Sequence, residues 1–347
     1  MEGPVLRSRK WRRDGAFGFL KLYGRAWRWW APGFATSLLL FAANPLQGQE
    51  VPVQGPPLRV NVNRVSVGVT VSDAHGRFVH DLNRADFQIF DDGREQPIAD
   101  FLPVEEPAQV VLLIEGGPAV LFFAKGHVLA ADQMVASLAP DDRVAIATYT
   151  KGPESVIDFT TDKTEARMAL AAINFAQGFG ELNLFSSVRA AVDTLARIPG
   201  KKTIVLLSTG VDTSPDVNWD SLLAKLQTAD VRIIAVSLSG DIRKPVKKRK
   251  PAADEKVRQA ELKAGFAEGD RSLRELSQAT GGRVYFVKKE KDFAKTYAEI
   301  ADLLRHEYSL AFVPPALDGK VHELRVEVRR SGVQVEHRPA YLAAAPQ

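Results

Sequence analysis

Apolar residues run without interruption through two short segments, Gln109-Val-Val-Leu-Leu-Ile-Glu115 and Lys202-Thr-Ile-Val-Leu-Leu-Ser208. Uninterrupted, β-branched-rich runs of this length predict parallel strands buried on both faces. Similar runs at Val144–Tyr149 and Val231–Leu238 alternate with helical periodicity at about 121–138, 163–175, 185–197 and 218–229. Such alternation predicts an α/β, doubly wound, mostly parallel sheet with helices on both faces. Leu273–Gly282 reads as a helix with a glycine stop, Arg283–Val287 as a strand, and 291–305 as a last amphipathic helix.

The two ends of the body follow a different period. Val65, Val67, Val69 and Val71 share one phase and Val60 and Val62 the other, which predicts a bulge at Asn63-Arg64. Asp73-Ala-His-Gly76 and Asp91-Asp-Gly93 supply turn chemistry around the strand Asp86–Phe90. Tyr308–Phe312, Glu323–Val328 and Val333–His337 alternate again, with turns at Asp318-Gly319 and Ser331-Gly332. Neither β segment has enough strands to stand alone, so together they are expected to close a β-sandwich-like module with the α/β domain inserted between them. The expected boundaries are a leader over 1–48, a linker over 49–57, an N-terminal β module over 58–106, the α/β domain over 107–305 and completing strands over 306–343.

In an open parallel sheet the carboxyl ends of the strands carry the ligand crevice. Here the first buried strand continues Glu115-Gly-Gly-Pro-Ala119, the middle one Thr209-Gly-Val-Asp212, and a loop between them reads Gly180-Glu-Leu-Asn-Leu-Phe-Ser186. From about Val60 to Tyr341 this pattern resembles a von Willebrand factor type A domain, specifically the bacterial family first noted in Acidobacteria. That family places Asp-x-Ser-x-Ser after the first buried strand, a Thr in a later loop and Ser-Asp-Gly after a middle strand, together forming a metal-ion-dependent adhesion site. Glu115, Gly117 and Ala119 stand at the first set of positions, Leu182 at or near the Thr, and Thr209 in place of the Asp, while Asp212 remains. Mg²⁺ requires near-octahedral oxygen ligation at short distances. Gly117, Ala119 and Leu182 offer no side-chain oxygen, and Glu115, one methylene longer than Asp, is expected to project past the usual position. The resemblance therefore implies a degenerate site with no metal and no cofactor; the alternative is a Mg²⁺ site rebuilt from Glu115, Glu181 and Asp212.

Charge alters the picture less than it first suggests. The formal net charge is +4, but residues 1–48 alone carry eight Lys or Arg against two acids, which leaves the body close to neutral and argues against nucleic acid as a partner. The same leader has a basic start, the apolar stretch Ala35–Ala43 and the polar exit Asn44–Gly48. This is the layout of a secretory signal, so the protein is expected to be exported to the periplasm or outside, with membrane contact only if the leader stays uncleaved. Lys244, Lys247, Lys248, Arg249 and Lys250 form a basic loop within a charged insertion over 240–269. It reads either as a docking site for an acidic partner or, the favoured expectation, as a solvated mobile loop. Cysteine is absent, which removes disulfides and thiolate metal sites.

No P-loop or Gly-x-Ser-x-Gly elbow occurs, Gly178-Phe-Gly180 lacks the third glycine of a dinucleotide fingerprint, and the six histidines lack zinc spacing. Ser186 and Ser187 are expected to cap a helix, and His127 to be an ordinary helix residue. An enzyme is not expected, the alternative being an envelope hydrolase that uses a carboxylate pair. The expected function is an exported protein-interaction module, either adhesion or scaffold, of the bacterial envelope. Its partner is a protein, and its crevice is built from Glu115, Gly116, Gly117, Phe123, Phe179, Glu181, Leu182, Thr209 and Asp212, with an apolar patch extended by Leu184 and Phe185.

Overall fold

A computed structural model describes residues 9–10, 64–102, 107–117, 120, 124–175, 180–214, 217–238, 253–287 and 290–343. The linker, nearly all of the leader, the phase change at Asn63, the loop residues Phe123 and Phe179, and Lys244, Lys247, Lys248, Arg249 and Lys250 lie outside them.

The α/β part is a doubly wound, mostly parallel sheet inserted into a β-sandwich. Its strands are β5 (Ala108–Glu115), β6 (Arg143–Tyr149), β7 (Pro153–Thr160), β8 (Lys201–Ser208), β9 (Arg232–Ser237) and β10 (Val284–Phe286). They are ordered β7-β6-β5-β8-β9-β10, with Arg9–Lys10 along the β7 edge. The pairs are parallel except for the antiparallel β6–β7 hairpin and the antiparallel pairing of Arg9–Lys10 with β7. β7 is an additional strand beyond those expected; its Pro153 stands at the first residue of an outer strand, where it leaves the ladder intact.

The uninterrupted apolar runs follow from two-sided burial. All eight residues of β5 are buried. Even-numbered Val110, Leu112 and Ile114 join the core that contains α1 (Ala124–Ser137), α2 (Lys163–Ala171) and α6 (Phe293–Arg305). Odd-numbered Val111 and Leu113 join the opposite core, formed with α3 (Leu184–Leu195), α4 (Trp219–Thr228) and α5 (Ala253–Ala279). Each fully buried large aliphatic side chain in these layers contributes on the order of 1.5–3 kcal/mol of transfer free energy.

Residues 253–269, expected as a loop-like charged insertion, are instead the first turns of the 27-residue helix α5. Its early turns are exposed, and only its last third turns apolar residues, Leu273, Leu276 and Ala279, into the core. A helix mostly in solvent carries the polar composition of a loop, which hid it. The helix reaches the sheet through a close backbone approach. A Cβ on Gly269 would stand 2.5 Å from the Thr209 carbonyl oxygen, and one on Gly210 would overlap the Gly269 carbonyl.

The sandwich pairs the chain's two β segments. β1 (Val65–Asp73) lies between β11 (Tyr308–Phe312) and β13 (Val333–Glu336), with β4 (Ile98–Leu102) beyond β11. The second sheet runs β14 (Ala340–Leu342), β12 (Val321–Val328), β2 (Phe87–Asp91) and β3 (Arg94–Gln96). Val67, Val69 and Val71 point into the core between them, together with Ile89, Leu310, Phe312 and Tyr341. The β2–β3 turn places Asp92 and Gly93 at positive φ, the geometry that favours Asp-Gly in a two-residue hairpin. No helix among the described residues is long and apolar enough to cross a membrane.

Candidate functional site

The carboxyl ends of β5, β6 and β8 place three polar side chains side by side under the crest of the sheet. Glu115 is the last residue of β5 and continues its odd-numbered phase; in register it sits opposite Tyr149, the last residue of β6. Ser208 ends β8. One carboxylate oxygen of Glu115, Oε2, gathers the contacts: Thr209 N–H at 2.7 Å, Thr209 Oγ1 at 2.8 Å, Ser208 Oγ at 3.2 Å and Tyr149 Oη at 3.2 Å. Tyr149 and Ser208 also share a 2.7 Å hydrogen bond, so only one of their two protons remains for Glu115. Oε2 thus receives three donors. Ser208 Oγ accepts in addition from Gly210 N–H.

The second oxygen, Oε1, is buried and has no hydrogen-bond partner. Burial pushes the Glu115 carboxyl above the usual range, against the lowering effect of the bonds from Thr209, Ser208 and Tyr149. Burial, and then the Glu115 charge, push the Tyr149 phenol up as well, so it remains a neutral donor. The expectation that the longer Glu115 side chain would project past the metal position is therefore corrected. It is fully buried and folds back onto the β8 end, because Thr209, standing where the resemblance places an Asp, offers both its amide and its hydroxyl.

Above Glu115 the space is closed by Leu182. A Cβ built on Gly117 would lie 3.0 Å from Leu182 Cδ2 and 3.4 Å from Glu115 Oε1. Two of the positions at which the resemblance calls for oxygen, Gly117 and Leu182, are thus fitted to each other, a glycine making room for a leucine. Leu182 is anchored by its backbone: its N–H donates to Thr213 Oγ1 at 2.8 Å, and its carbonyl accepts from Thr213 N–H at 2.8 Å. Asn183 ties the same loop to the β6–β7 turn, donating from N to Thr150 O and from Nδ2 to Lys151 O.

Asp212 is held by two backbone amides. Its Oδ2 accepts from Phe185 N–H and its Oδ1 from Ser214 N–H, both at 2.7 Å. The former contact caps the start of α3 from a different loop. Ser186 and Ser187, expected as caps, instead donate to the carbonyl of Asn183. Glu181 is exposed, while Gly116 and Gly117 are buried. Leu184, expected in an apolar surface patch, is fully buried in the core, and Phe185 packs against Trp219 with the rings tilted by 50° and their centroids 4.6 Å apart. Phe123 and Phe179 lie outside the described residues, so the described part of the patch is the half-buried Leu182 and Phe185.

These residues do not fit a divalent ion. Gly117 and Leu182 carry no side-chain ligand atom, Oε2 of Glu115 is taken by three donors, and Asp212 is engaged by two amides. Among the described residues Glu115, Glu181 and Asp212 form no metal-sized cluster. The one group that does is in the sandwich, where His322 meets Asp91 and Asp92. Its ring is already paired, Nδ1 to Asp91 at 2.9 Å and Nε2 to Asp318 at 3.2 Å, and Tyr341 Oη donates to the same Asp91 oxygen. No spacing rule would have found it, since 231 positions separate Asp91 from His322. His127 is buried against Phe293 and hydrogen-bonds Tyr297 at 3.2 Å.

No family model matches the chain, and no curated protein does. Among solved structures it is similar to a von Willebrand factor type A protein from Catenulispora acidiphila, with 12% identity over 82% of this chain and 75% of that one and a TM-score of 0.41. It is also similar to the conserved hypothetical protein BatB from Bacteroides thetaiotaomicron, with 12% identity, 57% and 99% coverage and a TM-score of 0.40. A third is the PilB minor pilin from Streptococcus sanguinis, with 13% identity, 61% and 64% coverage and a TM-score of 0.38. Likeness at this level carries no functional argument; the fold stands on its own strand order.

Proposed function

We propose that the chain is an exported protein-interaction module of the bacterial envelope that engages its partner through the loops at the carboxyl end of the sheet, without a divalent cation. The observation that carries this is the pairing of Leu182 with Gly117 over an inward-turned Glu115. A site that bound its partner through a metal would present oxygens at the crest. This one presents the exposed Glu181 and a half-buried Leu182, while Gly116 and Gly117 are buried. Recognition then rests on shape, apolar contact and backbone hydrogen bonds. No catalytic role is assigned to the carboxylates: Glu115 is sealed beneath Leu182, and Asp212 serves as a helix cap.

The test is affinity capture from envelope extract by the full chain, run with Mg²⁺ and with excess chelator. Equal capture in both, lost in Phe123→Asp or Phe179→Asp, is expected. Capture that requires Mg²⁺ and fails in Asp212→Ala would restore a metal-dependent adhesin, and capture indifferent to both phenylalanine changes would remove the proposed surface.

A further inference from the structure

The sandwich holds a polar cluster at one end of an otherwise apolar face. His322 shares the buried phase of β12 with Leu324 and Val326, and Tyr341 of β14 lies opposite it in register. Asp91 shares the buried phase of β2 with Phe87 and Ile89 and pairs with Leu324. Asp92 follows in the β2–β3 turn, and Asp318 comes from the loop between β11 and β12. The turn is tied to β12 in both directions: Asp92 N–H donates to Glu323 O at 3.0 Å, and Asp92 Oδ1 accepts from Glu323 N–H at 2.8 Å.

His322 stands at the centre, with 9% of its side chain exposed against 2% for Asp91. Its Nδ1 lies 2.9 Å from Asp91 Oδ1 and 3.5 Å from Asp92 Oδ2, and its Nε2 lies 3.2 Å from Asp318 Oδ1. Three carboxylates thus surround one imidazole, with Lys320 Nζ 3.8 Å from Asp318 as the further cation. Asp91 Oδ1 also accepts from Tyr341 Oη at 3.1 Å, but among the described residues no hydrogen bond reaches Asp91 Oδ2. That oxygen belongs to a buried side chain yet is open to a water-sized group. A divalent ion bound at about 2.0–2.2 Å sets its ligands about 2.8–3.6 Å apart around a tetrahedron or octahedron. Asp91, Asp92 and His322 each offer a ligand atom within 4.8 Å of the others, and the ring nitrogen already keeps that spacing from both carboxylates.

We propose that Asp91, Asp92 and His322 bind one divalent transition-metal ion, Zn²⁺ in preference to Mg²⁺ or Ca²⁺ because a ring nitrogen is among the ligands. Nδ1 gives its lone pair to the ion and its proton to solvent. Asp318 is a positioning residue: by accepting from Nε2–H it holds the ring with Nδ1 toward the two carboxylates, the arrangement usual for a metal-bound histidine. The ion ties the β2–β3 turn to β12, and three protein ligands leave it a further position for water. The site shares no residue with the crest.

The experiment is calorimetric titration of the chelator-treated full chain with Zn²⁺, repeated with Co²⁺ while its visible absorption is followed. Saturable binding of a single equivalent is expected, with Co²⁺ developing the absorption of an ion held by nitrogen and oxygen ligands. A ligand that binds only the folded state also raises the melting temperature, so Zn²⁺ should do so saturably. His322→Gln should abolish all three signals, and Asp212→Ala should leave them unchanged. Should the histidine variant fail to fold, Asp92→Asn decides. Asparagine tolerates the positive φ of that turn position and keeps the acceptor for Glu323 N–H. Its Zn²⁺ binding should be weaker by about tenfold or more, since loss of even an outer partner costs that much. No saturable binding of either ion to the parent, or binding unchanged in both His322→Gln and Asp92→Asn, would overturn the proposal.

Discussion

Replacing Glu115 by alanine should cost far more than replacing it by glutamine, and the two together test the sealed-carboxyl geometry. Alanine removes the acceptor of three buried donors, the amide and hydroxyl of Thr209 and one proton from the Tyr149–Ser208 pair. Each orphaned buried donor costs about 1–3 kcal/mol, so a loss of about 3–9 kcal/mol is expected. Glutamine keeps a carbonyl oxygen where Oε2 stands and leaves only its NH₂ without a partner, where Oε1 already lacks one, so its cost should be about 1–3 kcal/mol. The pH dependence follows from the raised carboxyl pKa. A group that holds its proton more tightly when folded stabilises the native state most at low pH, and that contribution declines as pH rises above the ordinary value of 4.5. The glutamine variant lacks this decline, so its stability relative to the parent should improve from pH 4.5 upward. Urea midpoints at unchanged slope, measured across pH 4.5–8, read both effects. An alanine variant within about 1 kcal/mol of the parent, or a glutamine profile parallel to it, would refute the reasoning.

Gly117→Ser should destabilise by about 1–2 kcal/mol through contact with Leu182, and the penalty should shrink in a Leu182→Ala background; strictly additive costs in the double-mutant cycle would argue against the fitted pair. Within α5, Gly269→Ala should cost about 1–3 kcal/mol by driving Cβ against the Thr209 carbonyl, whereas Gly265→Ala, with open space, should gain about 1 kcal/mol of helix propensity. Equal effects of the two by chemical denaturation would deny the close helix–loop approach. For His322, burial opposes the charged ring, but hydrogen bonds to Asp91 and Asp318 and the nearby Asp92 outweigh it and raise the pKa above 6.5. Its stabilisation is therefore complete below pH 6.5 and lost as pH rises through the folded value, so the parent's advantage over His322→Gln should fall along that interval; an advantage constant from pH 5 to 9 would contradict the assignment.

The sheet was legible in the sequence because two-sided burial leaves a mark no surface strand carries. The eight buried residues of β5 and the valine alternation of β1 each report their own surroundings. What escaped were elements whose composition reflects solvent. β7 buries one face only partly and carries no clear apolar pattern, and the first half of α5 stands clear of the core and has the charged composition of a loop. At the crest, the loss of ligand oxygens at Gly117 and Leu182 was visible residue by residue. The direction of Glu115 was not. It depends on Tyr149 lying opposite in register and on Ser208 and Thr209, 93 and 94 positions away, meeting the same oxygen. Asp212 likewise looked like a surviving ligand, because its role as a cap depends on the approach of Phe185 N–H from another loop.

The most direct measurement is calorimetric titration of the chelator-treated full chain with Mg²⁺, Mn²⁺ and Ca²⁺, alongside Asp212→Ala. A crest sealed by Leu182 and Glu115 should give no saturable heat at the site up to roughly millimolar metal, a weak limit for a dedicated divalent site. Binding in the micromolar range that disappears in Asp212→Ala would contradict it, and would mean that Asp212 and its neighbours rearrange into a ligand set.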